Sequence, residues 1–187
     1  MNKELTKKTA LVIIDVQKAW ILNNWGKRNN PQFERNLKAI IEFSRENGIE
    51  VIHVRHLSYN ENSPFREGKE SFEFQDIAIP IGNEKIVTKR VNSAFIGIDL
   101  DVYCRMKGIK TLFLAGITTE HCVSTSARMA GNLGFENYVV EDACYTFDRI
   151  GKFGEVIAAQ TVHDVNIASL REEFSKIIGT DEFLKLF

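Results

Sequence analysis

Short apolar runs alternate with helix-like segments along almost the whole chain, and this alternation constrains the fold more than any other feature of the sequence. The first run, Thr9–Val16, is continuously apolar up to Asp15, which is typical of a strand buried on both faces. Four further strands are predicted at residues 50–55, 84–89, 110–115 and 137–143. Strands that alternate with helices favour a parallel sheet, so the sequence predicts a three-layer α/β/α sandwich with a mainly parallel, Rossmann-like sheet.

Proline and glycine mark the boundaries of the helix-like segments. Pro31 follows Asn30 as a first helical residue would, and Gly48 suits the end of that helix. Further helices are predicted at residues 99–107, 119–133, 153–165 and 167–178, with a last short helix from Thr180. Residues 56–83 form a long polar segment that holds two of the three prolines. Structured loops of this length are usually functional.

Composition and charge exclude several classes of protein. The 187 residues suit one domain spanning residues 1–187, and a net charge of −1 without a patch of like charge predicts no nucleic-acid or membrane partner. The apolar runs are too short for a membrane span or a signal peptide, so we expect a cytoplasmic protein. Three widely spaced cysteines predict free thiols, of which Cys104 and Cys144 are expected to pack in the core.

Three reactive residues lie at the carboxyl ends of predicted strands or just beyond them. Asp15 closes the first strand, Lys89 closes the third, and Cys122 follows the fourth. Ligands of open α/β sheets bind beyond the carboxyl ends of the strands. The sequence therefore predicts that an acid, an amine and a thiol converge in one site.

This combination of groups suits nucleophilic catalysis. A thiolate attacks carbonyl carbon, and a helix N-terminus lowers the pKa of a cysteine. If Thr119 caps the following helix, Cys122 lies in its first turn, where backbone N–H groups can hold an oxyanion. Asp15 can accept the thiol proton and later give it to a leaving amine. By helical geometry, the side chains of Glu120 and His121 are expected to diverge from Cys122.

Three sequence motifs, which contain Asp15, Lys89 and Cys122, resemble those of a known superfamily. Residues 11–17 read LVIIDVQ, residues 87–95 read VTKRVNSAF, and residues 115–123 read AGITTEHCV. In this order and spacing they resemble the strand-one, lysine and nucleophile motifs of the isochorismatase-like cysteine hydrolases. The resemblance covers roughly Thr9 to Val165.

The resemblance implies a function for each motif. Members of that superfamily mostly hydrolyse C–N bonds through a thioester (EC 3.5 type), which would make Asp15 the base and then the acid, Lys89 the electrostatic support and Cys122 the nucleophile. The superfamily also carries a cis peptide after the motif glycine, here Ile117–Thr118. Backbone N–H groups of Thr118 and Cys122 would then form the oxyanion hole.

One departure from the superfamily pattern and one closer resemblance narrow the predicted substrate class. Nicotinamidases carry a metal-binding Asp-x-His after strand two, whereas this chain has His53-Val54-Arg55-His56 there. We therefore expect no metal and no cofactor. The Arg55–Ser58 stretch and the Thr-Thr-Glu-His-Cys form of the nucleophile motif resemble the streptothricin hydrolases.

Candidate substrate-binding residues follow from position in the chain and from the motifs. Gln17 and Trp20 lie just after Asp15, His56 begins the long loop, and Phe95 belongs to the lysine motif. We expect a small-molecule substrate in an apolar pocket with a few polar groups. The resemblance also implies a homo-oligomer, either a dimer or a tetramer.

Alternative functions remain open at this stage. Vinyl-ether hydrolysis of isochorismate (EC 3.3.2 type) is one, and a non-catalytic small-molecule-binding protein of the same fold is another. A dinucleotide-binding protein is excluded because no Gly-x-Gly-x-x-Gly turn follows the first strand. A dithiol redox enzyme is disfavoured because no second cysteine lies near Cys122 in the sequence.

Overall fold

A six-stranded parallel sheet forms the centre of the protein in a computed structural model that describes residue 6 and residues 8–187. The strands are β1 (Thr9–Ile14), β2 (Glu50–His56), β3 (Lys85–Lys89), β4 (Thr111–Ile117), β5 (Glu136–Tyr145) and, after a small hairpin, β8 (Lys176–Ile178). Their order across the sheet is β3-β2-β1-β4-β5-β8, and every neighbouring pair is parallel. The predicted mainly parallel sheet is confirmed.

Helices and turns connect these strands. They are α1 (Ala19–Leu22), α2 (Phe33–Glu46), α3 (Leu100–Met106), a π-helical turn (Thr119–Val123) that continues into α4 (Ser124–Asn132), α5 (Ala159–Leu170) and α6 (Thr180–Lys185). The hairpin comprises β6 (Arg149–Ile150) and β7 (Val156–Ile157). No helix in the described part of the chain is long and apolar enough to cross a membrane.

Two apolar layers lie on opposite faces of the sheet. Side chains alternate along a strand, so Leu11 and Ile13 of β1 pack on the face covered by α2 and α6. Val12 and Ile14 pack on the other face, covered by α3, α4 and α5. The central strands β1 and β4 are buried along their whole length because helices cover both faces. This arrangement is the three-layer sandwich predicted from the sequence.

The C-terminal third differs from the predicted helices. Residues 153–165 begin in the hairpin, and the helix α5 starts only at Ala159. The predicted helix over 167–178 is wrong, because α5 ends at Leu170 and the chain turns at Glu172, whose φ is 71°. The following residues then pair with β5 as the edge strand β8. Pairing with a distant strand outweighs the local helical pattern there.

The long segment after β2 is ordered by contacts with the start of the chain. Residues 57–84 contain two short 3₁₀ turns, Glu70–Phe72 and Asp76–Ala78. The Gln17 amide donates to the carbonyls of His56 and Phe72, and the Gln75 amide donates to the Gln17 carbonyl. The segment therefore packs beside the carboxyl end of β1.

Candidate active site

The site lies where the order of the strands reverses. From β1, one half of the sheet runs through β2 to β3 and the other through β4 to β5. A crevice opens between the carboxyl ends of two strands at such a reversal, and ligands bind in it. Asp15 follows β1 directly, and the turn that bears Cys122 follows β4.

Asp15 is held by its backbone in a left-handed conformation. Its φ is 53°, a region that aspartate tolerates better than most residues. Its N–H donates to the Val54 carbonyl at 2.8 Å, and its carbonyl accepts from the Trp20 indole N–H at 2.7 Å. These bonds fix the direction of a carboxylate that is only 1 % exposed.

Lys89 reaches the site from β3 and is fully buried. Its ammonium donates to Asp15 Oδ2 at 2.6 Å and to Cys122 Sγ at 3.3 Å. Burial by itself lowers the pKa of Lys89, but the charges of Asp15 and Cys122 outweigh it and the pKa is raised. Lys89 thus places a cation between an acid and a thiol.

Cys122 is the fourth residue of the π-helical turn, and its side chain is 8 % exposed. Burial raises the pKa of the Cys122 thiol, and the Asp15 carboxylate raises it further, against the opposing effect of Lys89. This direction is opposite to the sequence-based expectation, because desolvation outweighs the cationic neighbour. A raised pKa favours the thiol of Cys122 over the thiolate.

Asp15, the candidate base, lies close to the thiol. Asp15 Oδ2 accepts from Lys89, whereas Asp15 Oδ1 is buried and has no hydrogen-bond partner among the described residues. A buried carboxylate oxygen without a partner is costly and is rare in folded proteins. Oδ1 is thus the oxygen left to receive a proton.

Gly116 permits the backbone to turn toward the site at the end of β4. Its φ is 135°, and a Cβ there would overlap the Ile14 carbonyl oxygen of the neighbouring strand. The Ile117–Thr118 peptide that follows is cis, as the motif resemblance implied. Thr118, whose hydroxyl is buried and lacks a partner in the described structure, then lies at the cavity wall.

A cavity of about 130 Å³ opens over the thiol. Two aromatic rings, two histidines and an amide surround the reactive groups. The lining residues are Asp15, Trp20, His56, Phe65, Asn92, Thr118, His121 and Cys122. Trp20 and Phe65 pack edge to face with ring centroids 5.0 Å apart, which gives one wall a rigid apolar surface.

Comparison with known proteins shows which family has this sequence and fold. The isochorismatase domain model matches residues 9–182. The chain belongs to the isochorismatase family. Its relatives include the isochorismatase family protein YrdC of Bacillus subtilis (strain 168), which is 40% identical over 98% of both chains. A solved isochorismatase-family hydrolase from Chromobacterium violaceum ATCC 12472 superimposes with a TM-score of 0.92 at 36% identity, covering 95% of this chain and 92% of that chain.

A relative with a named activity is more distant. The ureidoacrylate amidohydrolase RutB of Acinetobacter baylyi is 24% identical over 96% of this chain and 67% of its own length. The protein is thus an isochorismatase-family hydrolase with the α/β fold of its relatives.

The structure places the sequence-predicted site residues in two groups. Asp15, Lys89 and Cys122 come together, and Trp20 and His56 line the cavity. The predicted roles of Gln17 and Phe95 in substrate binding are not supported by their positions.

Gln17 and Phe95 lie outside the cavity for different reasons. The Gln17 side chain is fully buried, and its amide bonds at both ends to the backbone of His56 and, through its N–H₂ group, also to the Phe72 carbonyl. It braces the loop. Phe95 belongs to the core cluster and stacks on Phe135 at 6.1 Å. The lysine motif therefore contributes Asn92 to the cavity and uses its phenylalanine for packing.

Two polar residues of the cavity were missed by sequence reasoning. Asn92 Oδ1 lies 3.9 Å from Cys122 Sγ, and only its position three residues after Lys89 could have suggested it. His121 was expected to diverge from Cys122 but lines the same cavity. The expectation assumed an α-helix, whereas the first turn is π-helical, with Val123 N–H bonded to the Thr118 carbonyl.

The residue expected to cap this helix has another partner. Thr119 lies within the turn, Thr118 occupies the capping position, and the Thr119 hydroxyl lies 2.9 Å from His163 Nδ1. Glu120 points away from the thiol and pairs with Arg149. Thr119 and Glu120 thus anchor the turn to α5 and to the hairpin.

The two histidines of β2 face different surroundings. His53 Nε2 lies 2.8 Å from Glu84 Oε2 in a partly buried pair, whereas His56 Nδ1 lies 3.4 Å from Lys89 Nζ. Among the described residues, no cluster of three or more His, Cys, Asp or Glu side chains is arranged to hold a metal ion. Cys104 and Cys144 are buried free thiols that do not line the cavity.

Proposed function

We propose that this protein is a cysteine hydrolase that cleaves the C–N bond of a small linear or cyclic amide through a Cys122 thioester. One observation carries the proposal. The Lys89 ammonium contacts both Asp15 Oδ2 and Cys122 Sγ, and these two residues line a small, largely apolar cavity. Nucleophile, base and a fixed cation within mutual reach are the arrangement that nucleophilic catalysis requires.

Acylation needs one proton transfer in each direction. The Cys122 Sγ–H proton moves to Asp15 Oδ1 as sulfur forms a bond to the amide carbon. The carbonyl oxygen becomes an oxyanion that the Thr118 and Cys122 backbone N–H groups would receive. The C–N bond then breaks, and Asp15 gives the proton to the leaving nitrogen. Lys89 keeps its charge throughout and stabilises the negative charge wherever it lies.

Deacylation repeats these steps with water. Asp15 removes a proton from a water molecule as its oxygen attacks the thioester carbon. The C–S bond breaks, the carboxylic acid leaves, and sulfur recovers the proton from Asp15. The raised pKa of Cys122 suits this cycle, since a thiol that is neutral at rest must be deprotonated only when substrate arrives.

The relatives and the cavity favour the amide reaction over the alternatives. An amidohydrolase occurs among the relatives of this chain, and the thiol lies at the cavity floor beside its base. Vinyl-ether hydrolysis of isochorismate has no need of a thiol there. A protein that only binds a ligand would not need a buried base and a buried cation beside the thiol.

The deciding experiment measures amine or ammonia release across a panel of small amides. The panel contains nicotinamide, carbamoyl compounds and cyclic amides such as streptothricin, with isochorismate as a non-amide. Wild type is compared with Cys122→Ala and Cys122→Ser, and Cys104→Ala serves as the matched loss of a buried cysteine outside the cavity. We expect turnover of an amide that Cys122→Ala abolishes and Cys104→Ala retains.

Each other result points to a different function. Isochorismate turnover that survives Cys122→Ala would contradict the role of Cys122 as nucleophile and support vinyl-ether hydrolysis. Tight ligand binding without turnover, equal in wild type and Cys122→Ala, would support a non-catalytic binding protein. A covalent acyl adduct on Cys122, detected by mass spectrometry during amide turnover, would establish the thioester.

A further inference from the structure

The register of the sheet places His56 against the reactive groups. His56 and Lys89 are direct partners across β2 and β3, each the last residue of its strand. His56 is also fixed locally, because its N–H donates to Gln17 Oε1 at 2.8 Å and its carbonyl accepts from Gln17 Nε2. Its ring packs edge to face on Phe65 at 5.5 Å. The sheet pairing, the hydrogen bonds with Gln17 and the packing on Phe65 therefore fix the position of the imidazole at the cavity wall.

Lys89 has three N–H bonds and three acceptors. The ammonium group donates only, and its partners here are Asp15 Oδ2 at 2.6 Å, Cys122 Sγ at 3.3 Å and His56 Nδ1 at 3.4 Å. Because the pKa of Lys89 is raised, all three protons are present. A ring nitrogen that accepts from an ammonium cannot carry a proton itself. The contact therefore selects one tautomer of His56.

We propose that Lys89 holds His56 as the neutral Nε2–H tautomer, and that this N–H donates a hydrogen bond to the substrate bound over Cys122. The second part rests on the amide-hydrolase function proposed above, and the first part does not. His56 lines the cavity with one nitrogen engaged by Lys89, so Nε2 is the nitrogen left for a ligand. An imidazole N–H beside the thiol suits an acceptor atom of the substrate, such as a carbonyl or a ring oxygen.

The charges around the ring favour the neutral form. The titratable groups that face it are Lys89 from β3, Asp15 after β1, and Cys122 and His121 from the turn after β4. Burial lowers the pKa of His56, and the Lys89 charge lowers it further, against a smaller opposing effect of Asp15. Burial and the Lys89 charge therefore both favour a neutral His56 ring, whose Nε2–H is a hydrogen-bond donor of fixed position.

The first test reads the tautomer directly and needs no substrate. Long-range ¹H–¹⁵N correlation spectra distinguish Nδ1–H, Nε2–H and doubly protonated imidazoles. The chain has four histidines, and the spectrum of His56→Gln assigns the missing one. We expect His56 as Nε2–H near neutral pH. An Nδ1–H tautomer, or an even mixture of the two, would overturn the inference whatever the enzyme hydrolyses.

The second test removes the ammonium. In Lys89→Met the pKa of His56 should rise and the tautomers should mix, since both the hydrogen bond and the repulsive charge are gone. A merely structural histidine would show neither change. If Lys89→Met does not fold, the wild-type spectrum alone decides this point.

The third test separates the two ring nitrogens by substitution. Asparagine places an acceptor near the Nδ1 position for Lys89 but no donor near Nε2, whereas glutamine places an amide N–H near Nε2. We expect kcat/KM to fall about tenfold to a hundredfold in His56→Asn, the cost of one lost hydrogen bond, and less in His56→Gln. His53→Gln, on the same strand but bonded to Glu84, is the control for loss of a histidine and should keep its kcat/KM.

The possible outcomes separate the two proposals. A wild type that hydrolyses no amide but shows the Nε2–H tautomer would sink the amide-hydrolase function and retain the Lys89–His56 relationship. Amide turnover with His56→Asn at the wild-type kcat/KM would retain the hydrolase and remove His56 from substrate contact.

Discussion

The Lys89 ammonium and the Asp15 carboxylate form an ion pair with their charged atoms 2.6 Å apart and almost no exposure to solvent, 0% and 1% of each side chain. Removing two charges from water costs several kcal/mol per ion, which their attraction offsets only when the geometry is good. Such a pair is weak evidence for stability. Its position under the Cys122 thiol instead suggests that it is retained for chemistry.

Removing one partner of this pair should destabilise the protein. Lys89→Met leaves the Asp15 carboxylate buried without a counter-charge, and we expect the free energy of unfolding at neutral pH to fall by about 3–5 kcal/mol. Urea denaturation followed by circular dichroism measures this change. The variant should also lose amide turnover completely.

The double variant Asp15→Asn with Lys89→Met is the matched control. It removes both charges, so most of the lost stability should return while activity stays absent. A double variant no more stable than Lys89→Met would show that the ion pair is not the source of the loss.

Buried histidines should make the protein less stable in mild acid. The pKa values of His53, His56 and His163 are each lowered from 6.5, first by burial. As pH falls through 6.5, the unfolded chain therefore binds more protons than the folded chain does. The free energy of unfolding must then decrease as pH falls through the range in which these histidines titrate. We expect the free energy of unfolding to drop between about pH 7.5 and about pH 5.5, above the range where most carboxylates titrate.

His163→Gln tests the contribution of one of these groups. His163 is 5% exposed, and burial lowers its pKa, so its protonation in the folded protein is disfavoured. The variant should lose stability more gradually with falling pH than the wild type, in urea denaturation at both pH values. Identical slopes would mean that His163 titrates alike in the folded and unfolded states.

Much of the fold and the reactive cluster could be predicted because both depend on local patterns. Apolar runs identify the buried strands, and Asp15 and Lys89 fall at strand ends where any parallel sheet gathers its ligands. The edge strand β8 could not be found in this way, since Lys176–Ile178 becomes a strand only by pairing with β5. Non-local pairing leaves little trace in a three-residue segment.

The cavity walls were predicted less well for a related reason. Which side of a loop faces the site depends on contacts that the sequence does not display. Gln17 is polar and lies near Asp15, yet its amide forms hydrogen bonds with backbone groups more than thirty residues away. His121 lines the cavity from a π-helical turn, a rare geometry for which the residues give no clear signal.

Gly116 should be irreplaceable even by alanine. Its φ of 135° disfavours any side chain, and a Cβ would overlap the backbone oxygen of Ile14, which cannot move within the sheet. We expect Gly116→Ala to reduce the free energy of unfolding by about 3 kcal/mol or more, measured by urea denaturation. Gly134→Ala is the control, since its φ is 82° but nothing lies within 4 Å of its added Cβ. It should cost only about 1 kcal/mol, and equal losses at both sites would contradict the overlap argument.

Selective alkylation should distinguish Cys122 from the other two cysteines. Cys122 is 8% exposed and borders the cavity, whereas Cys104 and Cys144 are 0% exposed and burial raises the pKa of each to about 12. In the native protein, iodoacetamide should therefore modify only the peptide that contains Cys122. After denaturation it should modify the peptides of all three cysteines.

Because the Cys122 thiol also has a raised pKa, its labelling near neutral pH should be slower than that of an exposed cysteine and should accelerate as pH increases. Peptide mapping by mass spectrometry at a series of pH values measures both the site and the rate. Rapid labelling of Cys122 that does not change with pH would show a stable thiolate at rest, and the proposed proton transfer to Asp15 would then be unnecessary.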